Sequence, residues 1–269
     1  GLRGLREDGW RPHSGYQLGQ GHARVVRSLS GSATLDAGVE LYAAGWDSPG
    51  FITVDQFERE RFDTVANLTD GGFKRRAQER VSLRVVTSSG LVWRSTVYAT
   101  QGRWQLFLTT PPEGGSEEGS GSQTEEEDQR YGFGATTAAT KAIGTAQVTV
   151  GAEARLEHAD YENWLTTDRA RDEAQAVVGA RQLSGALFVQ TSTDVGRHLR
   201  LDVGGRYDVL DTRSTPEGEP ASSDTKGIFV PKVGALYHLR HAVDLYANVS
   251  RGFRQTDDVI DDPSLPFIT

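Results

Sequence analysis

The chain of 269 residues contains no cysteine and no methionine. Without cysteine there is no disulfide framework, no thiolate metal site and no cysteine nucleophile. No run approaches the roughly 20 apolar residues of a membrane helix. Hydrophobic residues make up only 36% of the chain, which is thin for a packed globular core of this length. There is no basic stripe, and the formal net charge is -8, so phosphate-backbone binding and hence nucleic acid are excluded as partners. No secretory signal opens the sequence, and the absence of methionine suits an internal piece better than a whole gene product. The enzyme signatures are missing too. There is no Gly-x-Ser-x-Gly, no His-Glu-x-x-His and no Walker loop. Gly132-Phe-Gly134 echoes a dinucleotide turn but has no helix pattern after it.

A mean hydropathy of -0.49 would ordinarily indicate a soluble protein. A membrane β-strand escapes that test, because it needs only about 9–11 residues and turns only every second one toward lipid. Period-2 alternation is what the sequence shows. Leu199, Leu201, Val203, Gly205, Tyr207 and Val209 share one face, and Arg200, Asp202, Arg206 and Asp208 the other. Leu35, Ala37, Val39 and Leu41 alternate with Thr34, Asp36, Gly38 and Glu40. Ala146 to Glu157 and Val243 to Ser250 repeat the pattern. A helix would scatter these charges around its axis.

The predicted strands cover 20–30, 33–45, 75–88, 91–108, 129–140, 144–158, 174–192, 199–211, 227–238 and 242–252, with a piece of an earlier one at 1–6. Short connections near 30–32, 88–90, 141–144, 193–198 and 239–242 alternate with long polar ones near 46–74, 109–129, 160–173 and 211–226. Short turns on one side and long loops on the other mark an outer-membrane barrel, and a soluble sandwich has no reason to sort its loops this way. Trp10, Tyr16, Trp46, Trp93, Trp104, Tyr131, Tyr161, Trp164, Tyr207 and Tyr237 fall near strand ends, as interfacial girdles would. The fold class is therefore all-β, an antiparallel up-and-down transmembrane barrel segment of about ten strands.

Two consecutive hairpins carry a family resemblance. Phe188, Val189 and Gln190 open a strand that turns and returns to Gly205, Arg206, Tyr207 and Asp208. Pro231, Lys232 and Gly234 then begin a hairpin that ends on Tyr246, Ala247, Ser250, Arg251, Gly252, Phe253 and Arg254. In this order the motifs resemble the TonB-dependent outer-membrane receptors. The detailed likeness covers mainly 180–260. The stretch 46–72 is similar to a long extracellular loop of some members. The resemblance implies a barrel of about 22 strands around an N-terminal plug. No plug pattern is present in 1–269, so the chain is expected to hold about ten strands of that larger barrel as an open curved sheet. The implied function is ligand-gated active uptake across the bacterial outer membrane, without covalent chemistry and without a cofactor. The implied partners are outer-membrane lipid, a scarce extracellular small-molecule ligand (a ferric siderophore, a corrinoid or a glycan), and the TonB energy-coupling complex, reached through the plug. Loop aromatics Trp46, Phe51, Phe57, Tyr161 and Trp164 are the candidate ligand contacts.

Other features have plainer readings. Glu117, Glu118 and the run from Glu125 to Asp128 form the strongest charge block, read as a solvated Gly/Ser/Glu loop rather than a cation site. His238 and His241 flank a turn but lack a third metal ligand nearby. Lumen-facing charges such as Arg200, Arg206, Asp36, Glu40 and Glu153 need be no more than the polar wall that a barrel requires. Two alternatives stay open. One is a complete small barrel, either a porin or a ten-stranded protease using His158 and Asp160. The other is a soluble β-rich binding module.

Overall fold

The protein was analysed as a computed structural model, which describes residues 1–110, 121–240 and 243–252. Eleven strands form one sheet in sequence order, each antiparallel to the next. They are β1 (Leu2–Glu7), β2 (Tyr16–Ser28), β3 (Ala33–Asp47), β4 (Gly71–Val86), β5 (Val92–Thr110), β6 (Ser122–Ile143), β7 (Ala146–Thr167), β8 (Ala170–Val195), β9 (Leu199–Pro216), β10 (Ser222–Arg240) and β11 (Val243–Ser250). A short helix, α1 (Val54–Glu60), interrupts the β3–β4 connection. Among the described residues, β1 and β11 are the edges of the sheet. Among the described residues no helix is long and apolar enough to cross a membrane.

The registers show which residues share a face, because directly opposed residues in an antiparallel pair point the same way. Val39 lies opposite Glu79, then Ala99, Phe133, Leu156, Leu183 and Asp211. This face carries the apolar belt, from Val25 and Leu41 through Val97, Phe133, Val150 and Leu187 to Val203 and Phe229, all exposed. The row starts in the middle of the belt on β3 and ends on Asp211, about seven residues beyond the belt's middle on β9 after six strand steps. With ~3.4 Å per residue and ~4.8 Å between strands, the belt slants about 40° to the hydrogen-bond rows. That is the strand tilt of a membrane barrel. The belt is the lipid face, and the opposite face is the lumen wall.

Polar groups within the belt bond one another. Trp93 Nε1 donates to Thr137 Oγ1 at 2.6 Å, and the Ser95 and Thr137 hydroxyls are 2.8 Å apart. Glu79 is an exception, a carboxylic side chain on the belt between Val39 and Ala99. The girdle is smaller than expected. Trp93, Tyr131, Tyr207 and Tyr237 are exposed on the lipid face, whereas alternation turns Tyr16, Trp46, Trp104 and Tyr161 to the lumen side.

Several belt and lumen glycines lie under an aromatic ring from the next strand. Tyr98 covers Gly134, Phe188 covers Gly151, and Tyr207 and Phe229 cover Gly227 and Gly205. Each ring needs the space a Cβ would fill. A Cβ on Gly151 would sit 2.2 Å from Phe188 Cζ and 2.6 Å from the Thr137 carbonyl oxygen. Gly151→Val is therefore expected to cost about 1–3 kcal/mol through overpacking. A lowered denaturant midpoint of the micelle-bound protein with an unchanged m-value would show it.

The strands run further than predicted. The connection expected at 160–173 is a two-residue turn, Asp168–Arg169, between β7 and β8. The one expected at 211–226 shrinks to 217–221. The block Glu125 to Asp128, read as part of a solvated loop, is paired strand in β6. Residues 111–120, with Glu117 and Glu118, lie outside the described residues, as do His241, Phe253 and Arg254. The cause is common to all three connections. Above the belt both faces of the sheet meet water, so the apolar/charged alternation disappears while the ladder continues. The loop expected at 46–74 is real, spanning 48–70 with α1 inside it.

Candidate ligand rim and lumen wall

The 48–70 loop stands on the rim and is tied down at both ends. Thr53 caps α1. Its hydroxyl accepts from Gln56 N at 3.2 Å, and the Gln56 side chain accepts from Thr53 N at 2.8 Å, a reciprocal capping box. The spacing Thr53-x-x-Gln56 is a signal that could have marked this helix, which a reading of 46–74 as plain loop misses. Arg11, in the β1–β2 connection, donates to the carbonyls of Phe62 at 3.3 Å and Thr64 at 2.9 Å. His13 Nε2 is 2.7 Å from the Asp70 carbonyl oxygen.

Asp70 anchors the other end. Its side chain is fully buried, at 0% exposure. It accepts from Thr109 N, Thr109 Oγ1 and Gln123 Nε2, each at 2.8 Å. Strand β4 stops at Gly71, one residue later, so the Asp70 carboxylate satisfies the β5 amide that has run out of partner strand.

Of the candidate ligand contacts, Phe51 and Phe57 belong to this loop and are 54% and 41% exposed. Phe57 packs edge-on against Phe62, with centroids 5.2 Å apart, and Phe62 packs likewise against Trp10 at 4.8 Å. Trp10 and Phe62 thus join the group, although nothing in sequence spacing links Trp10 to a loop 50 residues away. Trp46 ends β3 with its ring over Gly72. Tyr161 and Trp164 are not in a loop. Both sit on β7, well away from α1 along the sheet. Tyr161 is only 3% exposed and packs against Ala180, Ala159 and Ala176. Trp164 donates from Nε1 to Glu162 Oε2 at 3.0 Å, and Arg171 lies over its ring at 5.0 Å.

Arg171 is the centre of a charge cluster on the outer face, about 30 Å above the belt's middle at ~3.4 Å per tilted residue. Its guanidinium donates to Glu125 at 2.7 and 2.9 Å, to Glu127 at 3.0 Å and to Glu162 at 2.6 Å. Gln105 also donates to Glu125, and Arg103 pairs with Glu127 at 2.7 Å. Burial alone would raise the Glu125 pKa. The Arg171 and Gln105 hydrogen bonds outweigh it and hold the carboxyl below its ordinary range.

The lumen wall divides into two halves. From β6 to β10 the arginines Arg130, Arg155 and Arg206 are paired, and Lys232 has no ion pair among the described residues. Arg206 bonds Glu153 at 2.9 Å and Asp208 at 2.8 Å, Arg130 pairs with Asp128, and Arg155 pairs with Glu157. On β2 to β5, Asp36 pairs with Arg24 at 2.7 Å and Arg80 at 3.7 Å. Lys74, Arg76, Arg84 and Arg94 share that wall without a carboxylate partner among the described residues. His158 and Asp160, 3.1 Å apart, lie on the outer face of β7. Among the described residues no group of histidines and carboxylates could hold a metal.

A family model described as TonB dependent receptor-like, beta-barrel, matches residues 12–266. In fold the chain is similar to the unliganded ferric citrate transporter FecA (TM-score 0.77, 17% identity, covering 93% of this chain and 38% of that one). It is similar to the copper transporter OprC (TM-score 0.69, 12% identity, 91% and 39%). It is also similar to the alcaligin outer membrane receptor FauA from Bordetella pertussis (TM-score 0.63, 15% identity, 87% and 35%). The chain thus spans about two-fifths of the length of each. No curated protein sequence matches it.

Proposed function

Because the chain belongs to the TonB-dependent receptor-like β-barrel family, we propose that it builds part of the wall and rim of an outer-membrane receptor for active uptake of a scarce metal chelate. The observation that carries this reading is the segregation of the sheet. One face is a tilted apolar belt and the other a charged wall, with an aromatic loop standing on the rim above them. Binding and gated passage need no covalent step, and the machinery is a surface for capture above a polar passage. The plug and, through it, the TonB complex would supply the gate and the work. Fold relatives named for ferric citrate, alcaligin and copper make a chelated metal the favoured cargo class.

The rim group Trp10, Phe57 and Phe62, with Phe51 beside it in the loop, is the proposed capture surface. Tyr161, buried in the wall, supports the rim and does not meet the ligand.

The test uses the whole receptor in cells stripped of their own iron-chelate receptors. Radiolabelled iron supplied on a panel of chelators should enter only when the receptor and TonB are both present. No TonB-dependent uptake of any chelate would refute the reading. In the same assay, Phe57→Ala with Phe62→Ala should raise the half-saturating chelate concentration about 30-fold or more, since aromatic anchors contribute about 1–2 kcal/mol each. The maximal rate should change little.

A further inference from the structure

The lumen side of β4 and β5 carries five cations, and among the described residues only Arg80 has a carboxylate partner, Asp36 at 3.7 Å. Lys74, Arg76, Arg80 and Arg84 alternate down the lumen side of β4, from just below the rim to the short turn. The line covers about 30 Å of strand at ~3.4 Å per residue. Arg84 stands directly opposite Arg94 on β5. Like charges directly opposed across a strand pair destabilise it. The other lumen-facing residues of β5, Trp104, Thr100, Tyr98 and Thr96, bring no acid. On β3, Asp36 is engaged by Arg24 and Arg80, and Glu40 lies opposite Gln78 with no ion pair. Arg76 has only the neutral Gln78 side chain, at 2.9 Å. On β6 to β10, by contrast, Arg130, Arg155 and Arg206 are each matched to a carboxylate, and Lys232 is the exception among the described residues.

We propose that Lys74, Arg76, Arg84 and Arg94 form an anion track, along which a cargo bearing carboxylate or other anionic oxygen groups passes from the rim toward the short-turn end. This rests on the uptake reading and names the charge class of its cargo. A guanidinium keeps its charge at any physiological pH and presents a planar fork that matches a carboxylate. A series of exposed sites also holds an anion weakly enough to release it to the next.

The experiment is a crystal structure of the whole receptor soaked in millimolar tungstate, a dianion visible by anomalous scattering. The expected result is anomalous density beside at least two of the four cations. Arg84→Gln with Arg94→Gln should erase the peak between those two positions and leave any at Lys74 and Arg76. Heat-modifiable gel migration would show that the variant barrel is folded. Absence of tungstate density overturns the track, whether the four side chains meet plug carboxylates or only water. A peak that survives the double substitution marks an adventitious ion and overturns it as well. Failure of TonB-dependent uptake would instead sink the functional reading, so the two failures are distinguishable.

Discussion

Arg171→Ala is expected to leave the barrel inserted but to release its outer extension. Amides of β6, β7 and β8 above the belt should exchange hydrogen about 30- to 100-fold faster, and those within the belt should not change. Removing the guanidinium leaves Glu125 at 2% side-chain exposure and Glu127 at 6%, each losing a charge-assisted partner. Breaking one side of a buried pair costs about 3–5 kcal/mol. Arg171 itself is 36% exposed, so water can partly replace it and about 2–3 kcal/mol is the better figure. Arg171→Lys should recover only part of the protection, because one ammonium cannot fork to Glu125 while reaching Glu127 and Glu162. Glu125→Gln combined with Arg171→Met should recover more, since neither partner is then left charged alone.

The same cluster sets an acid limit. Glu125 titrates below its ordinary range in the folded protein. Its ionised form therefore adds stability at neutral pH. That contribution weakens as the pH falls below the usual glutamate value of about 4.3 and is lost once the pH passes the lower folded value. The opening free energy of the outer extension, taken from exchange corrected for the intrinsic amide rate, should fall over that acid window and be flat from pH 5 to 8. A fall centred above pH 5 would point away from Glu125.

What the sequence made legible was the part of the sheet with a hydrophobic solvent on one side. Alternation at Leu199–Val209 or Leu35–Leu41 is strong because lipid and lumen demand opposite chemistries, and those strands were placed within a few residues. Above the belt that demand ends. Glu125, Glu127 and Arg171 then look like loop residues one at a time, and only the cross-strand register shows that they neutralise each other. The turn at Asp168 and Arg169 was hidden for a related reason. Both residues adopt positive φ, at 48° and 68°, a conformation usually flagged by Asn-Gly or Asp-Gly. Here tertiary bonds hold it. Arg169 N donates to Gln123 Oε1 at 3.0 Å, and its guanidinium lies over Phe107 at 4.9 Å. The rim aromatics were half legible. Phe51, Phe57 and Phe62 sit in a recognisable loop, but Trp10 reaches Phe62 only through the tertiary fold, where Arg11 bonds the carbonyls of Phe62 and Thr64.

The rim loop therefore depends on a few anchors, and Asp70 is the one with most to lose. Asp70→Ala should detach the loop and abolish tight chelate binding while the barrel stays folded. Three donors lose their acceptor at once, and Thr109 N has no strand to turn to. Gln123 cannot simply turn away, because its Oε1 already accepts from Arg169 N at 3.0 Å and Thr166 Oγ1 at 3.1 Å. Leaving such buried groups unsatisfied costs about 3 kcal/mol in all, after partial solvation of the opened end. Trypsin reads this directly, because Arg59 and Arg61 lie at the end of α1. If nicking there proceeds through loop opening, the rate should rise about 100-fold in the variant, with migration of the uncut barrel unchanged. Asp70→Asn is the informative intermediate. One oxygen can still accept from Thr109 N, but the amide NH2 then faces the Thr109 hydroxyl and the Gln123 amide. The hydroxyl can rotate to accept, whereas the Gln123 amide cannot. Nicking should therefore rise about tenfold, between the wild type and the alanine variant. Equal rates in all three proteins would show that the loop is held from the Arg11 side alone, and that the carboxylate only completes the β5 ladder.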